Sequence, residues 1–156
     1  MALKKKIKKI SASQIHIAIV ASRFNDFITK ALLKACQTQL KRQGLTDAQI
    51  TTVWVPGSFE IPLTALKLAK KKNIDAVICL GAVIRGETYH FEVVANETAR
   101  GMMEAGLQSG KPIVMGVLTT DTVDQAQKRA QDEGRDNKGR DCAITAIEMV
   151  NLLKRI

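Results

Sequence analysis

Aromatic residues and long hydrophobic runs are both scarce in this sequence. Phe, Trp and Tyr make up 4% of its 156 residues, and no apolar run approaches the roughly 18 residues that a membrane span needs. We therefore expect no membrane partner. With so few aromatics, the core is built from Ala, Ile, Leu and Val, as in helices packed on a parallel sheet. The length predicts one domain.

Cysteine and histidine are also few, and their spacing fits no metal-binding or redox motif. The three cysteines, Cys36, Cys79 and Cys142, are odd in number and fall in separate predicted elements. The two histidines, His16 and His90, lie far apart in the sequence. We expect no metal site, three reduced and buried thiols, and a cytoplasmic location.

Positive charge is concentrated at the N-terminus. The chain carries a net charge of +9 at pH 7, and five lysines lie within residues 1–13, which contain no acidic residue. This segment is expected to form a basic arm ahead of a single domain over residues 14–156. It lacks the interleaved aromatics and arginines of a nucleic-acid-binding tail, so no nucleic-acid partner is expected. A solubilising role and a strand added to a neighbouring subunit both remain open for the arm.

Short apolar runs alternate with stretches of helical spacing along the rest of the chain. Strands are predicted over residues 15–22, 51–55, 75–80 and 113–118. A stretch with helical spacing follows each strand, with helix caps expected at Asn25, at Ser58 and within 119–122. A further helix closes the chain. This order predicts an α/β fold with three α/β/α layers and a four-stranded parallel sheet, flavodoxin-like in type.

Each predicted strand is followed by a polar or glycine-containing segment. These segments are residues 22–25, 56–60, 81–90 and 119–121. The carboxyl ends of parallel strands meet at one edge of a sheet, which is where α/β proteins bind ligands. The convergence of four such segments therefore predicts a binding site at that edge.

Segment 81–90 carries the residues best suited to chemistry. It lacks the Gly-Lys-Ser/Thr ending of a nucleoside-triphosphate loop and the glycine pattern of a dinucleotide site. Its backbone amides and the helix start that follows suit a single phosphate monoester. A tight turn would explain its two glycines, but not the clustering of Arg85, Thr88 and His90, which can hold an anion and move a proton.

Three side chains near this edge each have a functional and a structural interpretation. Histidine exchanges protons readily near neutral pH, which makes His90 a candidate acid/base, although a structural role at a helix start is the alternative. Phe24 can stack on a planar ring, or it can pack as a hydrophobic staple of the next helix. Glu60 can accept hydrogen bonds from sugar hydroxyls, or it can stabilise a helix N-terminus.

Taken together, these motifs resemble the 6,7-dimethyl-8-ribityllumazine synthase family over almost all of residues 15–153. The matching segments are 22–25, 54–62, 81–92, 116–120, 125–126, 129–130, 137–139 and 146–149. The resemblance implies a transferase that condenses 5-amino-6-(D-ribitylamino)uracil with L-3,4-dihydroxy-2-butanone 4-phosphate. The products are the lumazine, phosphate and water, in the penultimate step of riboflavin biosynthesis, and no cofactor takes part.

The resemblance also implies a role for each site residue. Phe24 stacks on the pyrimidine ring, Glu60 holds ribityl hydroxyls, and His90 is the catalytic residue that shuttles protons. Residues 86–88 cradle the phosphate, and Arg129 is its cation. The implied substrate-binding residues are Phe24, Ser58, Phe59, Glu60, Ala82, Val83, Ile84, Gly86, Glu87, Thr88, Met115, Arg129 and Lys138.

In this family the pocket lies between subunits, so the resemblance implies that Met115, Arg129 and Lys138 come from a neighbour. It implies a homo-oligomer built from pentamers, with riboflavin synthase as a candidate partner. The chain departs from the family pattern at Met115, which replaces a frequent phenylalanine, and in a longer link over residues 131–136. In this family a longer link accompanies free pentamers rather than sixty-subunit capsids, so the resemblance implies a free pentamer. The altered link also bears on the role that the resemblance gives to Lys138.

A non-catalytic flavin- or lumazine-binding protein on the same scaffold is the alternative function. Binding of a ring alone requires neither His90 nor Arg129. The presence of both residues therefore favours the synthase.

Overall fold

The computed structural model describes residues 11–131 and 136–156. Residues 1–10 of the predicted arm and residues 132–135 of the predicted link lie outside the described residues. The elements are β1 (Ile17–Ser22), α1 (Asp26–Arg42), β2 (Ile50–Val55), α2 (Ile61–Ala69), β3 (Ala76–Ile84), α3 (His90–Ser109), β4 (Ile113–Thr120), α4 (Val123–Ala130) and α5 (Lys138–Leu153). The predicted alternation of strands and helices is confirmed.

The four strands are parallel and lie in the order β2-β1-β3-β4. The chain moves from β1 to β2 on one side, then crosses back past β1 to form β3 and β4 on the other. The connections therefore diverge at β1 and β3. The crevice outside the carboxyl ends of these two strands is where open α/β sheets bind ligands. This strand order confirms the predicted flavodoxin-like fold.

Successive side chains of β1 face two separate apolar layers, because strand residues point alternately to opposite faces. On one face, Ile17 and Ile19 pack with residues of α1, α4 and α5. On the other face, Ala18 and Val20 pack with residues of α2 and α3. Both faces of the sheet are thus covered, which explains the continuous apolar sequence of β1. Within the described ranges, no helix combines the length and apolar character needed to cross a membrane.

The central strand β3 is longer than the sequence predicts. The prediction ends at Leu80, whereas the strand continues to Ile84. Residues beyond Leu80 pair with β4, as far as Ile84 opposite Thr120. Pairing with β1 stops earlier, at Ala21 opposite Leu80. Partners on β4 therefore hold these residues in a strand despite the local glycine, and the loop begins only at Arg85.

Two of the predicted helix caps differ from the structure. Asn25 precedes α1, but its backbone is left-handed with a φ of 59°, and its side chain makes no cap hydrogen bond. Ser58 lies inside a short 3-10 turn ahead of α2, and the residue before it, Gly57, is the cap of that turn. Thr122 confirms the third prediction, because its hydroxyl accepts a hydrogen bond from the N–H of Gln125 at 3.2 Å.

The cysteines Cys36, Cys79 and Cys142 are buried free thiols, as predicted. Burial raises the pKa of all three, that of Cys142 to about 12. Since the thiolate is the reactive form of cysteine, these thiols are held in an unreactive state. They pack as apolar side chains in the two layers that cover the faces of the sheet.

Gly139 lies where α5 packs against the backbone of α1. A Cβ atom at this position would be 2.0 Å from the carbonyl oxygen of Leu32 and 2.7 Å from its carbonyl carbon. Helix backbone cannot turn aside as a flexible side chain can. We therefore expect Gly139→Ala to lower the free energy of unfolding by about 3 kcal/mol, the upper end of overpacking costs.

Gly106→Ala is the matched control, because Gly106 is also helical but a Cβ there would meet nothing closer than 3.5 Å. Alanine favours a helix over glycine by about 1 kcal/mol, so this variant should unfold at the same or a higher urea concentration. Urea titrations of both variants make the comparison. Equal unfolding midpoints would show that α5 can retreat from α1 without cost.

Candidate active site

A cavity of about 750 Å³ opens at the carboxyl ends of β1, β2 and β3. We call it the switch-point cavity, because it occupies the crevice where the chain connections diverge. It is lined by Phe24, Asn25, Pro56, Gly57, Ser58, Phe59, Glu60, Ala82, Val83, Ile84, Gly86, Thr88, His90, Phe91, Val93 and Val94. Ten of these residues are ones that the sequence assigns to catalysis or to substrate binding.

Two aromatic rings stand exposed at this cavity. Phe24 is 72% exposed and Phe59 is 56% exposed. The N–H of Phe24 donates to the carbonyl of Pro56 at 3.0 Å, which joins the two turns that carry the rings. A helix staple would cover the ring of Phe24, so this exposure favours the interpretation that Phe24 stacks on a planar ligand.

Asn25 is a site residue that sequence reasoning assigned only to a helix cap. Its Nδ2 donates to the carbonyl of Ala82 at 2.9 Å, which ties the end of β1 to the extended end of β3. Asparagine tolerates a positive φ better than most residues do, and left-handed residues cluster at functional sites. No local pattern reveals this use of Asn25, because its partner lies 57 residues away in the sequence.

The extended end of β3 presents backbone groups to the cavity. Because the pairing with β1 stops at Leu80, the β1-side edge of residues 82–84 has no strand neighbour in the part of the chain that the structure describes. Asn25 binds one group on this edge, the carbonyl of Ala82. Backbone N–H and C=O groups need partners, and an open strand edge matches the alternating donors and acceptors of a pyrimidine.

One wall of the cavity is polar. Glu60 Oε2 accepts a hydrogen bond from the N–H of Gly57 at 2.9 Å, which fixes this carboxylate at the exposed start of α2. Behind it, Ser58 is buried. A Cβ atom at Gly81 would be 2.5 Å from the hydroxyl oxygen of Ser22 and 3.0 Å from that of Ser58. Glycine at position 81 is therefore required for both hydroxyls to keep their places.

The loop over residues 85–89 is exposed and leads into α3. The hydroxyl of Thr88 accepts a hydrogen bond from the N–H of His90, the first residue of α3, at 3.4 Å. A Cβ atom at Gly86 would meet nothing within 4 Å, so the space beside it is open. Glu87 is exposed between these two residues. The loop thus offers backbone N–H groups, a hydroxyl and a helix start to an anion.

Arg85 is placed differently from its expected role as part of an anion site. Its Nε donates to Asp121 Oδ1 at 2.7 Å, and its Nη1 forms an ion pair with Glu92. Its guanidinium also lies over the ring of Phe91, 4.3 Å from the centroid. The hydrogen bonds to Asp121 and then Glu92 raise the pKa of Arg85, and Arg85 in turn lowers the pKa of Glu92. This guanidinium is committed to two carboxylates within its own chain.

A second cavity, of about 720 Å³, lies beside the edge strand β4. We call it the β4-edge cavity, and α3, α4 and α5 supply its other walls. Met115, Arg129 and Lys138 all line it. They are the three residues that the resemblance assigns to a neighbouring subunit, and none of them lines the switch-point cavity, where His90 lies.

The charged groups of the β4-edge cavity are held by short-range contacts. Arg129 Nη1 donates to the carbonyl of Gln125 at 2.9 Å within α4. Lys138 Nζ pairs with Asp141 Oδ2 at 3.1 Å in the first turn of α5. Both side chains are accessible, so each can meet an anion brought to this surface.

Both cavities are lined by side chains and backbone groups of the described residues. Among the described residues, no group of three or more His, Cys, Asp or Glu side chains is placed to hold a metal ion. The switch-point cavity instead combines exposed aromatic rings, an open strand edge and a loop suited to phosphate. This combination fits one substrate with a planar ring and another with a phosphate group.

Comparison with known families agrees with this geometry. The family model described as 6,7-dimethyl-8-ribityllumazine synthase matches residues 14–154, nearly the whole chain. Enzymes of this family condense the ribitylaminouracil with the butanone phosphate in riboflavin biosynthesis. The two substrates supply the planar ring and the phosphate that the cavity suits. The chain therefore belongs to the 6,7-dimethyl-8-ribityllumazine synthase family.

Proposed function

We propose that this chain carries out the family's condensation in a site built from two subunits. The switch-point cavity of one subunit forms one half, and the β4-edge cavity of a neighbouring copy forms the other. The separation of the site residues carries this proposal: ten line the first cavity, while Met115, Arg129 and Lys138 line the second. Since Arg85 is already paired with two carboxylates, Arg129 of the neighbour supplies the cation for a phosphate on the loop.

Exposed apolar side chains support a subunit contact at the β4-edge cavity. Met103, Leu107 and Met115 are 66%, 78% and 49% exposed. An exposed apolar group of this kind marks an interaction surface. Among the described residues β4 pairs with no strand on its outer side, and an open sheet edge needs cover. Because the two joined surfaces differ, the contact is head-to-tail, and such contacts form a closed ring when the rotation between neighbours divides a full turn evenly. We propose the pentameric ring that the family resemblance implies.

The part of the site that binds the pyrimidine ring uses aromatic stacking and hydrogen bonds to the backbone. Phe24 stacks on the pyrimidine of the ribitylaminouracil, and the open edge of residues 82–84 binds the polar groups of that ring. Ser58, Phe59 and Glu60 line the path of the ribityl chain. The carboxylate of Glu60 is already oriented by the turn, so ribityl hydroxyls meet an acceptor that needs little reorganisation.

The phosphate group is bound by the loop over residues 85–89, and His90 lies between the pyrimidine and phosphate subsites. Residues 86–88 cradle the phosphate of the butanone, with Arg129 of the neighbour as its counter-charge. His90 follows the loop directly, at the start of α3. From there it moves protons as the imine forms with loss of one water, as phosphate leaves and as the second ring closes with loss of a second water. Much of the rate enhancement comes from holding the two substrates close together and correctly oriented.

A turnover assay tests this function. We mix the purified protein with both substrates and follow lumazine absorbance and phosphate release together. The proposal predicts that both products appear in equal amounts and in proportion to the protein. Tight binding of lumazine or riboflavin without turnover would instead assign a non-catalytic binding protein.

The basic arm is proposed to be dispensable for this chemistry. The carbonyl of Ala12 accepts a hydrogen bond from Gln49 at 2.6 Å, so a clean deletion stops at residue 10. We expect the shortened chain to keep its turnover, because no proposed site residue lies in the arm. Loss of turnover on deletion would contradict the division into arm and single domain. The cytoplasmic location and the riboflavin synthase partner stay predictions.

A further inference from the structure

Arg85 joins three parts of the fold around the loop over residues 85–89. Its side chain binds Asp121, just after β4, and Glu92, in the first turn of α3. Its backbone N–H donates to the carbonyl of Thr120 at 2.9 Å. The guanidinium also covers one face of Phe91, a residue that lines the switch-point cavity. One side chain thus fixes both ends of the loop.

Fold stability alone gives a weak account of this arrangement. The side chain of Arg85 is 43% exposed, and that of Asp121 is 65% exposed. Exposed ion pairs contribute little to stability. The fork of an arginine, however, sets the direction of two carboxylates at once, which a point charge cannot do. The arrangement is therefore better suited to positioning the loop than to stabilising the domain.

We propose that Arg85 is a positioning residue for the phosphate-binding loop, acting through Asp121 and Glu92 without touching the phosphate. This inference rests on the proposed function, because it assigns the loop to the butanone phosphate. Arg85 holds the backbone of residues 86–88 in the shape that receives the anion.

The carboxylate partners distinguish positioning from direct binding. If Arg85 only positions the loop, Asp121→Asn and Glu92→Gln loosen it, and each raises the KM for the butanone phosphate. If Arg85 itself binds the phosphate, the same substitutions free the guanidinium, and the KM falls. The two accounts therefore predict changes of opposite sign for the same variants.

The experiment compares Arg85→Gln, Arg85→Lys and the two carboxylate variants with Arg100→Gln. Arg100 is the matched control, because it makes a similar exposed ion pair with Glu97 on α3 and lines neither cavity. We expect Arg85→Gln to raise the KM for the butanone phosphate about tenfold, as misplacement of binding groups does. The KM for the ribitylaminouracil should stay within about twofold. Arg85→Lys should fall between wild type and Arg85→Gln, and Arg100→Gln should match wild type.

Binding of inorganic phosphate, measured by titration, gives a second readout that does not need turnover. It should weaken in Arg85→Gln and in both carboxylate variants. A lower KM in Asp121→Asn or Glu92→Gln, or equal increases in both substrate KM values, would overturn the positioning role. If Arg85→Gln fails to fold, the carboxylate variants decide the question by the sign of their KM change.

Failure of the proposed function is a separate result. Wild-type turnover with an unchanged KM in Arg85→Gln removes the role of Arg85 and leaves the proposed function standing. Absence of wild-type turnover removes the proposed function. The phosphate titration then decides the role of Arg85 alone: weaker binding by Arg85→Gln supports it, and binding equal to wild type overturns it.

Discussion

Arg129→Ala is expected to raise the KM for the butanone phosphate about thirtyfold, a loss of ~2 kcal/mol that is typical of one hydrogen bond to a charged group. The substitution removes the cation that the proposed composite site places against the phosphate. The ribitylaminouracil carries no phosphate, so its KM should change little. Steady-state kinetics with each substrate varied in turn measures both values.

Lys128→Ala is the control for Arg129→Ala. Lys128 precedes Arg129 on α4, and its exposed ammonium pairs with Asp124 one turn away, at 2.8 Å. It should leave both KM values unchanged. Arg129→Lys keeps the charge but loses the planar fork, so it should recover part of the affinity. An unchanged KM for the phosphate substrate in Arg129→Ala would remove this residue from the phosphate site.

His90→Ala is expected to lower kcat by about ten- to a hundredfold, at or below the usual contribution of one acid/base group. The effect is limited because orientation of the two substrates does not depend on this side chain. Both KM values should therefore remain near those of wild type. The same double-product assay measures kcat for the variant.

Added imidazole distinguishes proton transfer from a structural role of His90. If the missing ring only moved protons, free imidazole should restore part of the rate of His90→Ala. It should not restore that of His90→Gln, whose side chain fills the space. An undiminished kcat in His90→Ala would make this histidine structural.

The order of elements and the place of the site could be predicted from the sequence, because both depend on local patterns. Apolar runs, helical spacing and polar strand ends each lie within a few residues. Phe24, Glu60 and His90 follow three different strands, and the parallel sheet brings all three to one cavity. Their convergence needs only the rule that parallel strands end at one edge.

What could not be predicted depends on partners distant in the sequence. β3 continues past Leu80 because β4 pairs with it, whereas Gly81 on its own predicts that the strand ends there. Arg85 looked like an anion-binding residue, but its partner Asp121 lies 36 residues away. The side chain of the left-handed Asn25 likewise binds the carbonyl of Ala82 rather than capping its own helix. In each case the local sequence allows two conformations or roles, and a tertiary contact determines which one is adopted.

The most direct test of the composite site mixes two defective chains. His90→Ala and Arg129→Ala subunits are unfolded together, refolded as mixed oligomers and assayed at a low concentration of the butanone phosphate. In a site shared between neighbours, one subunit supplies His90 and the next supplies Arg129. Both residues are therefore intact wherever the first subunit is the Arg129→Ala variant and the second is the His90→Ala variant. Random mixing in a head-to-tail ring then restores about a quarter of wild-type activity. Activity equal to the mean of the two separate variants would contradict the account, because it would place both residues in a site within one chain.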